Sequence, residues 1–217
     1  MKIGVVLLAG GMGSRMGGDF PKQFLEIKGK RLLEFSLDVF LSHPCCHELV
    51  IVCAPEYRHL LQRESIKFAQ PGKLRQESVY NGMKALTSEC SHICIHDGAR
   101  PCINHKFLDR LFSAAHTASA VVPGLPLRFT VKQVDADSQV KKTLDREHIW
   151  EVQTPQLVKR TILEKGFSLI QKKQIEVTDD VSIAELLGEP VQGVEGVLEN
   201  IKVTVPQDLD LIKRFLA

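Results

Sequence analysis

Glycines and cations near the start of the chain are placed to hold a phosphate-bearing ligand. The stretch "LLAGGMGSRMGGDFPKQFL" contains Gly10, Gly11 and Gly13, and it carries two cations, Arg15 and Lys22. Glycine has no Cβ, so backbone N–H groups in such a loop can close around an anion. Two separated cations suit a polyphosphate, because its charge must be met at more than one oxygen. Solvated surface charges are the alternative, although an arginine inside a glycine run favours a functional role.

Two well-known phosphate loops do not fit this stretch. A Walker A loop requires G-x-x-x-x-G-K-[ST], and no Gly-Lys-Ser/Thr occurs in the chain. The dinucleotide fingerprint requires G-x-G-x-x-G, but counting from Gly11 and Gly13 the third glycine position holds Met16. The loop therefore predicts phosphate binding of another kind.

Asp97 is a second candidate, because it follows an apolar run in the stretch "IHDGARP". An aspartate at the end of a strand can ligate a Mg²⁺ ion that bridges phosphates. Two structural roles stay open beside this one. Asp97 could cap a helix or a turn, and Arg100 could be its structural partner.

Ser78 and Lys202 are weaker candidates. Ser78 lies near the start of a predicted helix in "LRQESVYNG", where its hydroxyl could meet a base or a ribose. Lys202 lies between Ile201 and Val203 in "NIKVTV", which predicts a late strand; an ordinary edge-strand lysine is the alternative. No G-x-S-x-G occurs, and no cysteine lies beside a plausible base. The candidates together indicate a reaction that depends on positioning and charge.

The elements that must position these residues alternate between strand and helix. "IGVVLLA", "ELVIVCA" and "HICIHDGA" read as apolar strands, with amphipathic helices between them. This alternation predicts an α/β, Rossmann-like fold with a mostly parallel sheet and helices on both faces. Function in such sheets gathers at the carboxyl ends of the strands. Residues 10–22, the segment after Ala69 and residues 97–101 qualify by position.

The alternation of strands and helices is interrupted between residues 128 and 150. "FTVKQVDADSQVKKTLDREHIW" contains two strands of alternating polar and apolar residues around the turn "DADSQ", which predicts a β-hairpin. The hairpin is too polar to lie in the core. Taken alone, the residues fit a solvated flap and a protruding arm that pairs with another subunit equally well.

Composition bounds the class of protein. The 217 residues, of which 44% are hydrophobic and 25% charged, predict one soluble domain over residues 1–217. A net charge of +2 without a dense basic run argues against nucleic-acid binding. No apolar run reaches the roughly 18 residues of a membrane span, and the first strand is too short for a signal peptide.

The cysteines and histidines indicate a cytoplasmic protein without zinc. None of the six cysteines forms C-x-x-C, and several lie in apolar runs, as free thiols do in a reducing compartment. His92 and His96 are four residues apart in a predicted strand, which separates them by about 13 Å. That separation is too large for two ligands of one zinc ion.

Several motifs together resemble a known family. "LLAGGMGSRMG…PKQFL" resembles the nucleotidyltransferase signature of sugar-phosphate pyrophosphorylases. "RQESVYNG", "HDGARP", "TLDREHIWEVQTPQ", "VTDDVS" and "NIKVTVPQDL" are similar to one branch of it, the 2-C-methyl-D-erythritol 4-phosphate cytidylyltransferases of the non-mevalonate isoprenoid pathway. The motifs span nearly the whole chain in the order of that family.

The resemblance implies transfer of CMP from CTP to 2-C-methyl-D-erythritol 4-phosphate, with Mg²⁺ as the divalent cation. It makes Arg15 and Lys22 the catalytic residues that stabilise the transition state. It implies nucleotide contacts at six positions: Ala9, Gly10, Gly11, Gly13, Gly72 and Ser78. It implies acceptor contacts at Asp97, Thr130, Arg146, Thr154 and Lys202, with Asp97 also near the metal. In that family residues 128–150 would be a β-arm exchanged across a homodimer.

Two rival functions stay open at the level of the sequence. "LLAGG" replaces the common "PAAG" opening, as in relatives that use ribitol 5-phosphate or another polyol phosphate, and Phe129 stands where the family commonly has Asp. "LDREHIW" and "VTDDVS" favour methylerythritol phosphate instead. The second rival is a non-catalytic nucleotide-binding protein, which would not need Arg15, Lys22, Asp97 and Lys202 together.

Overall fold

The computed structural model describes residues 1–11, 20–61, 63 and 65–216. Gly13 and Arg15 lie outside these residues. The strands are β1 (Ile3–Leu8), β2 (Glu26–Ile27), β3 (Lys30–Arg31), β4 (Cys46–Val52), β5 (Ile66–Ala69), β6 (His92–Asp97), β7 (Ala120–Pro126), β8 (Val131–Val134), β9 (Val140–Leu144), β10 (Trp150–Val152), β11 (Gln156–Lys159) and β12 (Val191–Glu195). The helices are α1 (Leu32–Ser42), α2 (Arg75–Ala85), α3 (His105–Ala114), α4 (Arg160–Lys173), α5 (Ser182–Glu185) and α6 (Pro206–Phe215).

Four parallel strands form one side of the main sheet in the order β6-β1-β4-β5, with β5 at the edge. The apolar runs of β6, β1 and β4 are buried on both faces, which is why they read as continuous hydrophobic segments. Helices α1 and α3 pack on one face through residues such as Leu37 and Phe107. Helices α2 and α4 pack on the other through residues such as Met83 and Phe167. The predicted layered α/β fold is confirmed.

The remaining strands of this sheet are mixed in direction. β7 pairs parallel with β12, and β11 lies antiparallel between β7 and β6. β10 pairs antiparallel with the far end of β7. Residues 153–155 separate β10 from β11, and the Thr154–Pro155 peptide bond there is cis. This irregular junction lies beside the end of β6, where Asp97 is located.

The predicted hairpin is confirmed as a separate two-stranded sheet. β8 and β9 pair antiparallel, from Val131 opposite Leu144 to Val134 opposite Val140. At the turn, the Asp135 carboxylate accepts hydrogen bonds from the N–H groups of Asp137 and Gln139. We call residues 128–150 the arm.

The predicted strand "NIKVTV" is wrong. Residues 201–205 belong to no strand, and Val203 donates one backbone hydrogen bond to Ala99. Val203 is buried in a small cluster with Ile27, Leu32 and Ile212. The apolar alternation reflects packing beneath the β2–β3 hairpin and α6, so it did not require a strand partner.

The described helices include none that is long and apolar enough to cross a membrane. The six cysteines are unpaired, and Cys53, Cys90 and Cys94 are buried.

Candidate active site

A cavity of about 360 Å³ lies at the carboxyl edge of the parallel strands. We call it the nucleotide cavity, and its walls come from the segments after β1, β5 and β6, from residues 22–23 and from Lys202. The structure brings seven predicted site residues to its walls: Gly10, Gly11, Lys22, Gly72, Ser78, Asp97 and Lys202. Residues predicted from distant motifs therefore converge on one site.

The start of the glycine loop is held by a buried glutamine. Ala9 is buried, and its N–H donates to Val52, which continues the register of β1. The Gln23 side-chain amide donates to the carbonyl oxygens of Ala9 at 2.7 Å and Gly11 at 3.0 Å. A Cβ on Gly10 would come within 2.5 Å of the Pro71 ring, so this position requires glycine. The loop after β1 is thereby pressed against the loop after β5.

Lys22 lies on a single 3-10 turn, Lys22–Phe24, and is buried on the cavity wall. Phe24 anchors this turn in the core, where its ring stacks on Tyr57. A lysine on a turn fixed in this way loses little further freedom when it meets an anion. Lys22 is therefore pre-positioned for charge stabilisation.

The second wall is the loop that precedes α2. Gly72 donates its N–H to the Ser78 hydroxyl at 2.9 Å. Lys73 and Leu74 donate theirs to one carboxylate oxygen of Glu77, at 2.7 Å and 3.2 Å. A Cβ on Gly72 would lie 2.2 Å from the Glu77 Cβ, so no larger residue fits. The first turn of α2 therefore dictates the course of this loop.

Asp97 is a buried carboxylate surrounded by three cations. Lys202 Nζ lies 3.0 Å from its Oδ2, and Arg100 and Arg75 each approach to 3.5 Å. Burial by itself raises the pKa of Asp97, but Arg75, Lys202 and Arg100 together hold that pKa well below its usual range. Asp97 is therefore ionised at neutral pH and holds the Lys202 ammonium at the cavity.

Arg75 joins Asp97 to a second buried carboxylate. Its guanidinium makes two 2.8 Å hydrogen bonds to Asp180, the bidentate geometry that favours arginine over lysine. Gln156 in turn accepts from the N–H groups of Asp180 and Val181. These contacts fix the segment after α4 against the cavity.

Thr154 and His96 form a chain of hydrogen bonds that ends at the backbone N–H of Asp97. His96 Nε2 donates to the Arg100 carbonyl at 2.9 Å, so its Nδ1 is free to accept. The Thr154 hydroxyl, 3.1 Å from that Nδ1, donates to it and accepts the Asp97 N–H at 3.1 Å. Burial lowers the pKa of His96 to about 4, which agrees with a neutral ring. Thr154 lines neither this cavity nor the next one described, so its hydroxyl serves the backbone of Asp97.

A second cavity of about 600 Å³ adjoins the first at Lys202. We call it the acceptor cavity, and its lining includes Arg100, Asn200 and the base of the arm at Arg128 and Phe129. Asn200 is fully buried, and its side-chain amide donates to the Thr154 carbonyl at 2.7 Å, while its backbone carbonyl accepts from Arg100. Lys202 lines both cavities and therefore lies at the boundary between them.

The arm residues Thr130 and Arg146 are exposed and line neither cavity. Arg146 donates a hydrogen bond to the Arg128 carbonyl at the base of the arm. Of the predicted site residues, Gly13 and Arg15 lie outside the described residues.

Sequence reasoning missed four residues that organise the site: Gln23, Arg75, Glu77 and Asp180. All four lie in quoted motifs: Gln23 in "PKQFL", Arg75 and Glu77 in "RQESVYNG", and Asp180 in "VTDDVS". The sequence shows that Gln23 follows Lys22 and that Glu77 precedes Ser78, but it does not show that these side chains bond backbone groups. It also does not show that Arg75 and Asp180, which are far apart along the chain, bond each other.

Comparison with known proteins shows similarity along the whole chain. The family model "IspD: 2-C-methyl-D-erythritol 4-phosphate cytidylyltransferase" matches residues 3–217. The chloroplastic 2-C-methyl-D-erythritol 4-phosphate cytidylyltransferase of Oryza sativa subsp. japonica is 42% identical over 220 residues, covering 99% of this chain and 74% of the relative. The cytidylyltransferase of the same name from Chlamydia pneumoniae is 35% identical over 216 residues and both chains are covered fully.

Solved structures agree with these matches. The 2-C-methyl-D-erythritol 4-phosphate cytidylyltransferase of Francisella tularensis superposes with a TM-score of 0.88 at 29% identity, covering 99% of this chain and 100% of the other. The enzyme of the same name from Thermus thermophilus gives 0.83 at 29% identity, with 99% and 98% covered.

Proposed function

The chain belongs to the 2-C-methyl-D-erythritol 4-phosphate cytidylyltransferase family, and from that premise we propose that CTP occupies the nucleotide cavity and the acceptor phosphate the acceptor cavity. The protein is an enzyme, a cytidylyltransferase of isoprenoid biosynthesis whose substrates are CTP and methylerythritol phosphate. The roles of individual residues in this reaction are part of the proposal.

The reaction joins a phosphate oxygen of the acceptor to the α-phosphorus of CTP and releases pyrophosphate. The second pKa of a phosphate monoester is about 6, so the attacking oxygen is already largely ionised at pH 7 and needs no general base. The difficulty is that an anion approaches an anion. Two like charges about 4 Å apart repel by roughly 4 kcal/mol at an effective dielectric constant near 20. The enzyme must therefore supply positive charge and alignment.

Lys22 would supply charge to the triphosphate. Its buried position on the nucleotide-cavity wall supports this role, because a preorganised cation acts on charge as it develops in the transition state. The loop residues Gly10, Gly11 and Gly72 would hold the nucleotide beside it. Arg15 is proposed as the second cation, on the motif alone.

Lys202 would hold the acceptor phosphate in line with CTP. The observation that carries this assignment is its position between the two cavities, 3.0 Å from the Asp97 carboxylate. Asp97 fixes the ammonium at the point where the two substrates must meet. Such alignment lowers the entropy cost of bringing two reactants together.

We also propose Mg²⁺ as the divalent cation, with Asp97 as its protein ligand. Nucleotide-bound Mg²⁺ takes one or two carboxylates together with phosphate oxygens, and Asp97 places a carboxylate on the wall of the nucleotide cavity. When bound, the ion would neutralise charge on the triphosphate and on the departing pyrophosphate.

The arm supports a proposal about assembly. Thr130 and Arg146 carry hydrogen-bonding groups suited to a phosphate, yet they lie outside both cavities of their own chain. We propose that residues 1–217 form one domain and that the arm, residues 128–150, reaches the acceptor cavity of a second copy in a homodimer. The unpaired cysteines support a reducing, cytoplasmic location, whereas the rice relative is chloroplastic.

Pyrophosphate release tests the assignment of the two substrates. The protein would be supplied with Mg²⁺ and CTP, and with methylerythritol 4-phosphate or ribitol 5-phosphate in parallel. Release is expected with methylerythritol 4-phosphate. Release with ribitol 5-phosphate alone would contradict the acceptor and show that "LLAGG" and Phe129 mark a different polyol phosphate. No release with either would contradict catalysis.

A further inference from the structure

Residues 97–100, at the end of β6, connect the two cavities. Asp97 lines the nucleotide cavity and Arg100 lines the acceptor cavity. The Arg100 N–H donates to the Asp97 carbonyl at 3.0 Å, which closes the segment into a turn. We call residues 97–100 the connecting turn. Its shape sets the distance between the Asp97 carboxylate, which holds Lys202, and the Arg100 guanidinium.

The middle of the connecting turn is attached to both of its neighbours through the backbone. Gly98 donates its N–H to the Leu8 carbonyl at 2.8 Å, at the end of β1. The Ala99 carbonyl accepts from the Val203 N–H at 2.9 Å, one residue after Lys202. A shift of the connecting turn is therefore passed to the backbone that carries Lys202.

Two buried side chains join the ends of the connecting turn. His96 Nε2 donates to the Arg100 carbonyl at 2.9 Å, at one end. The Thr154 hydroxyl lies 3.1 Å from His96 Nδ1 and accepts the Asp97 N–H at 3.1 Å, at the other end. Neither side chain lines either cavity. The two side chains thus link the first residue of the turn to the last without reaching a substrate.

We propose that His96 and Thr154 are positioning residues for the transfer reaction. Together they hold the connecting turn in the shape that places the Lys202 ammonium for the acceptor phosphate. They act through the turn and touch neither substrate. The inference rests on the proposed binding of the acceptor phosphate in the acceptor cavity.

Packing alone does not account for a histidine at this position. The His96 ring is fully buried and meets the Phe40 ring edge-on at 5.4 Å, a contact that phenylalanine could also make. A buried polar group costs free energy unless it is hydrogen-bonded. Neutral imidazole donates with one nitrogen and accepts with the other, which is what the Arg100 carbonyl and the Thr154 hydroxyl require.

The test is KM for methylerythritol 4-phosphate at saturating CTP and Mg²⁺, together with KM for CTP and the melting temperature of each variant. His96→Phe is expected to raise KM for the acceptor about tenfold, because a buried carbonyl and a buried hydroxyl lose their partner. KM for CTP should change less than about twofold, since Gly98 still fixes the turn to β1.

Two conservative variants separate the hydrogen bonds of the ring. The amide oxygen of His96→Asn can replace Nδ1 as the acceptor for Thr154, and the amide nitrogen of His96→Gln can replace Nε2 as the donor to Arg100. Each variant keeps one of the two bonds and should recover part of the wild-type KM for the acceptor. Recovery in neither variant would show that the ring acts only by its shape, which contradicts the proposal.

A double-mutant cycle tests whether the two side chains act as one unit. Thr154→Val removes the hydroxyl, keeps the size of the side chain and should also raise KM for the acceptor. Because both changes break the same chain of hydrogen bonds, the double variant should have a KM within about twofold of the more impaired single variant. Effects that multiply would show that Thr154 acts independently of His96, and the proposal would fail.

His43 provides a matched control. It is a second buried histidine with both ring nitrogens bonded, to Asp109 at 3.1 Å and to the Cys45 N–H at 3.2 Å, and its ring meets that of Phe112. It lines neither cavity. His43→Phe is expected to lower the melting temperature and to leave KM for the acceptor unchanged. A rise in KM equal to that in His96→Phe would overturn the proposal, because loss of any buried histidine would then suffice.

A folded His96→Phe protein with wild-type KM for the acceptor would also overturn the proposal. Thr154→Val carries the same expectation and the same contradiction if the phenylalanine variant does not fold. Lys202→Ala separates this failure from failure of the acceptor site itself. If only the positioning role is wrong, Lys202→Ala still raises KM for the acceptor while His96→Phe does not. If the acceptor binds elsewhere, neither variant changes that KM, and both proposals fail.

Discussion

The nucleotide cavity and the arm differ in where their polar groups find partners. In the cavity, Asp97 binds Lys202 and Arg75 binds Asp180, all within one chain. On the arm, Thr130 and Arg146 are exposed, and Phe129 at its base is 82% exposed. Among the described residues, the charged groups of the nucleotide cavity thus find their partners within one chain. The exposed side chains of Thr130 and Arg146 line neither cavity of their own chain, and this favours assembly with a second copy.

Loss of Lys22 should produce the largest effect on catalysis. Lys22→Ala is expected to lower kcat by on the order of 10²-fold or more, because it removes a preorganised charge while the rest of the cavity remains. Steady-state kinetics would measure this. Lys28→Ala, at an exposed lysine six positions on, is the control and should have wild-type kcat. A kcat within twofold of wild type in Lys22→Ala would remove Lys22 from the mechanism.

Neutralising Asp97 should disturb the cavity next most strongly. Asp97→Asn keeps the size of the side chain but leaves Lys202, Arg75 and Arg100 without their shared anion. Breaking one partner of a buried charge pair costs about 2–5 kcal/mol, so kcat/KM for the acceptor should fall about 30-fold or more. Asp109→Asn, at an exposed aspartate on α3 that pairs with His43, is the matched control. Equal kinetics in the two variants would contradict a role for Asp97.

Arg146→Ala tests whether the arm contacts the acceptor. The variant is expected to raise KM for the acceptor about tenfold and leave KM for CTP unchanged, because a hydrogen bond to a charged group is worth about 1.5–3 kcal/mol. Lys142→Ala tests whether any arm cation has this effect, and it should not. An effect of Arg146→Ala confined to CTP would place this arginine at the nucleotide instead.

His92, at the end of β6 opposite Asp97, should affect stability without affecting catalysis. Burial, and then Lys159, lowers the pKa of His92 to about 4, whereas an unfolded chain has a histidine pKa near 6.5. Between those values the unfolded chain binds more protons, so stability is complete above pH 6.5 and falls as the pH decreases toward 4. Urea unfolding of wild type and His92→Asn at pH 7 and pH 4.5 should show an extra loss of about 1–2 kcal/mol in wild type. An equal loss in both would contradict the assignment.

Much of the site could be predicted because its residues follow strands. Gly10 and Asp97 come directly after apolar runs, and the carboxyl ends of parallel strands meet at one edge. Lys22 and Lys202 were identified from their motifs. Residues whose partners lie elsewhere in the chain could not be predicted in this way. Nothing in the spacing of Arg75 and Asp180, 105 residues apart, shows that they bind each other.

The wrong strand prediction has the same origin. "NIKVTV" alternates as a strand does, but alternation reports which side chains are buried and not which backbone groups are paired. Val203 is buried against the β2–β3 hairpin and α6, so the segment needs no neighbouring strand. The contacts of the Thr154 hydroxyl with His96 and with the Asp97 N–H were not predicted either, because these partners lie about 57 residues away along the chain.

Complementation between two impaired variants tests the central claim most directly, namely that one chain supplies the nucleotide cavity and its partner supplies the arm. Lys22→Ala and Arg146→Ala subunits would be mixed, and hybrid dimers confirmed by native mass spectrometry. In each hybrid one site carries both changes and the other carries neither. Random pairing should therefore restore about a quarter of wild-type activity at acceptor concentrations well below KM, where each parent alone keeps about a tenth of wild-type activity or less. Confirmed hybrids without any gain over the parents would show that each active site is built from a single chain.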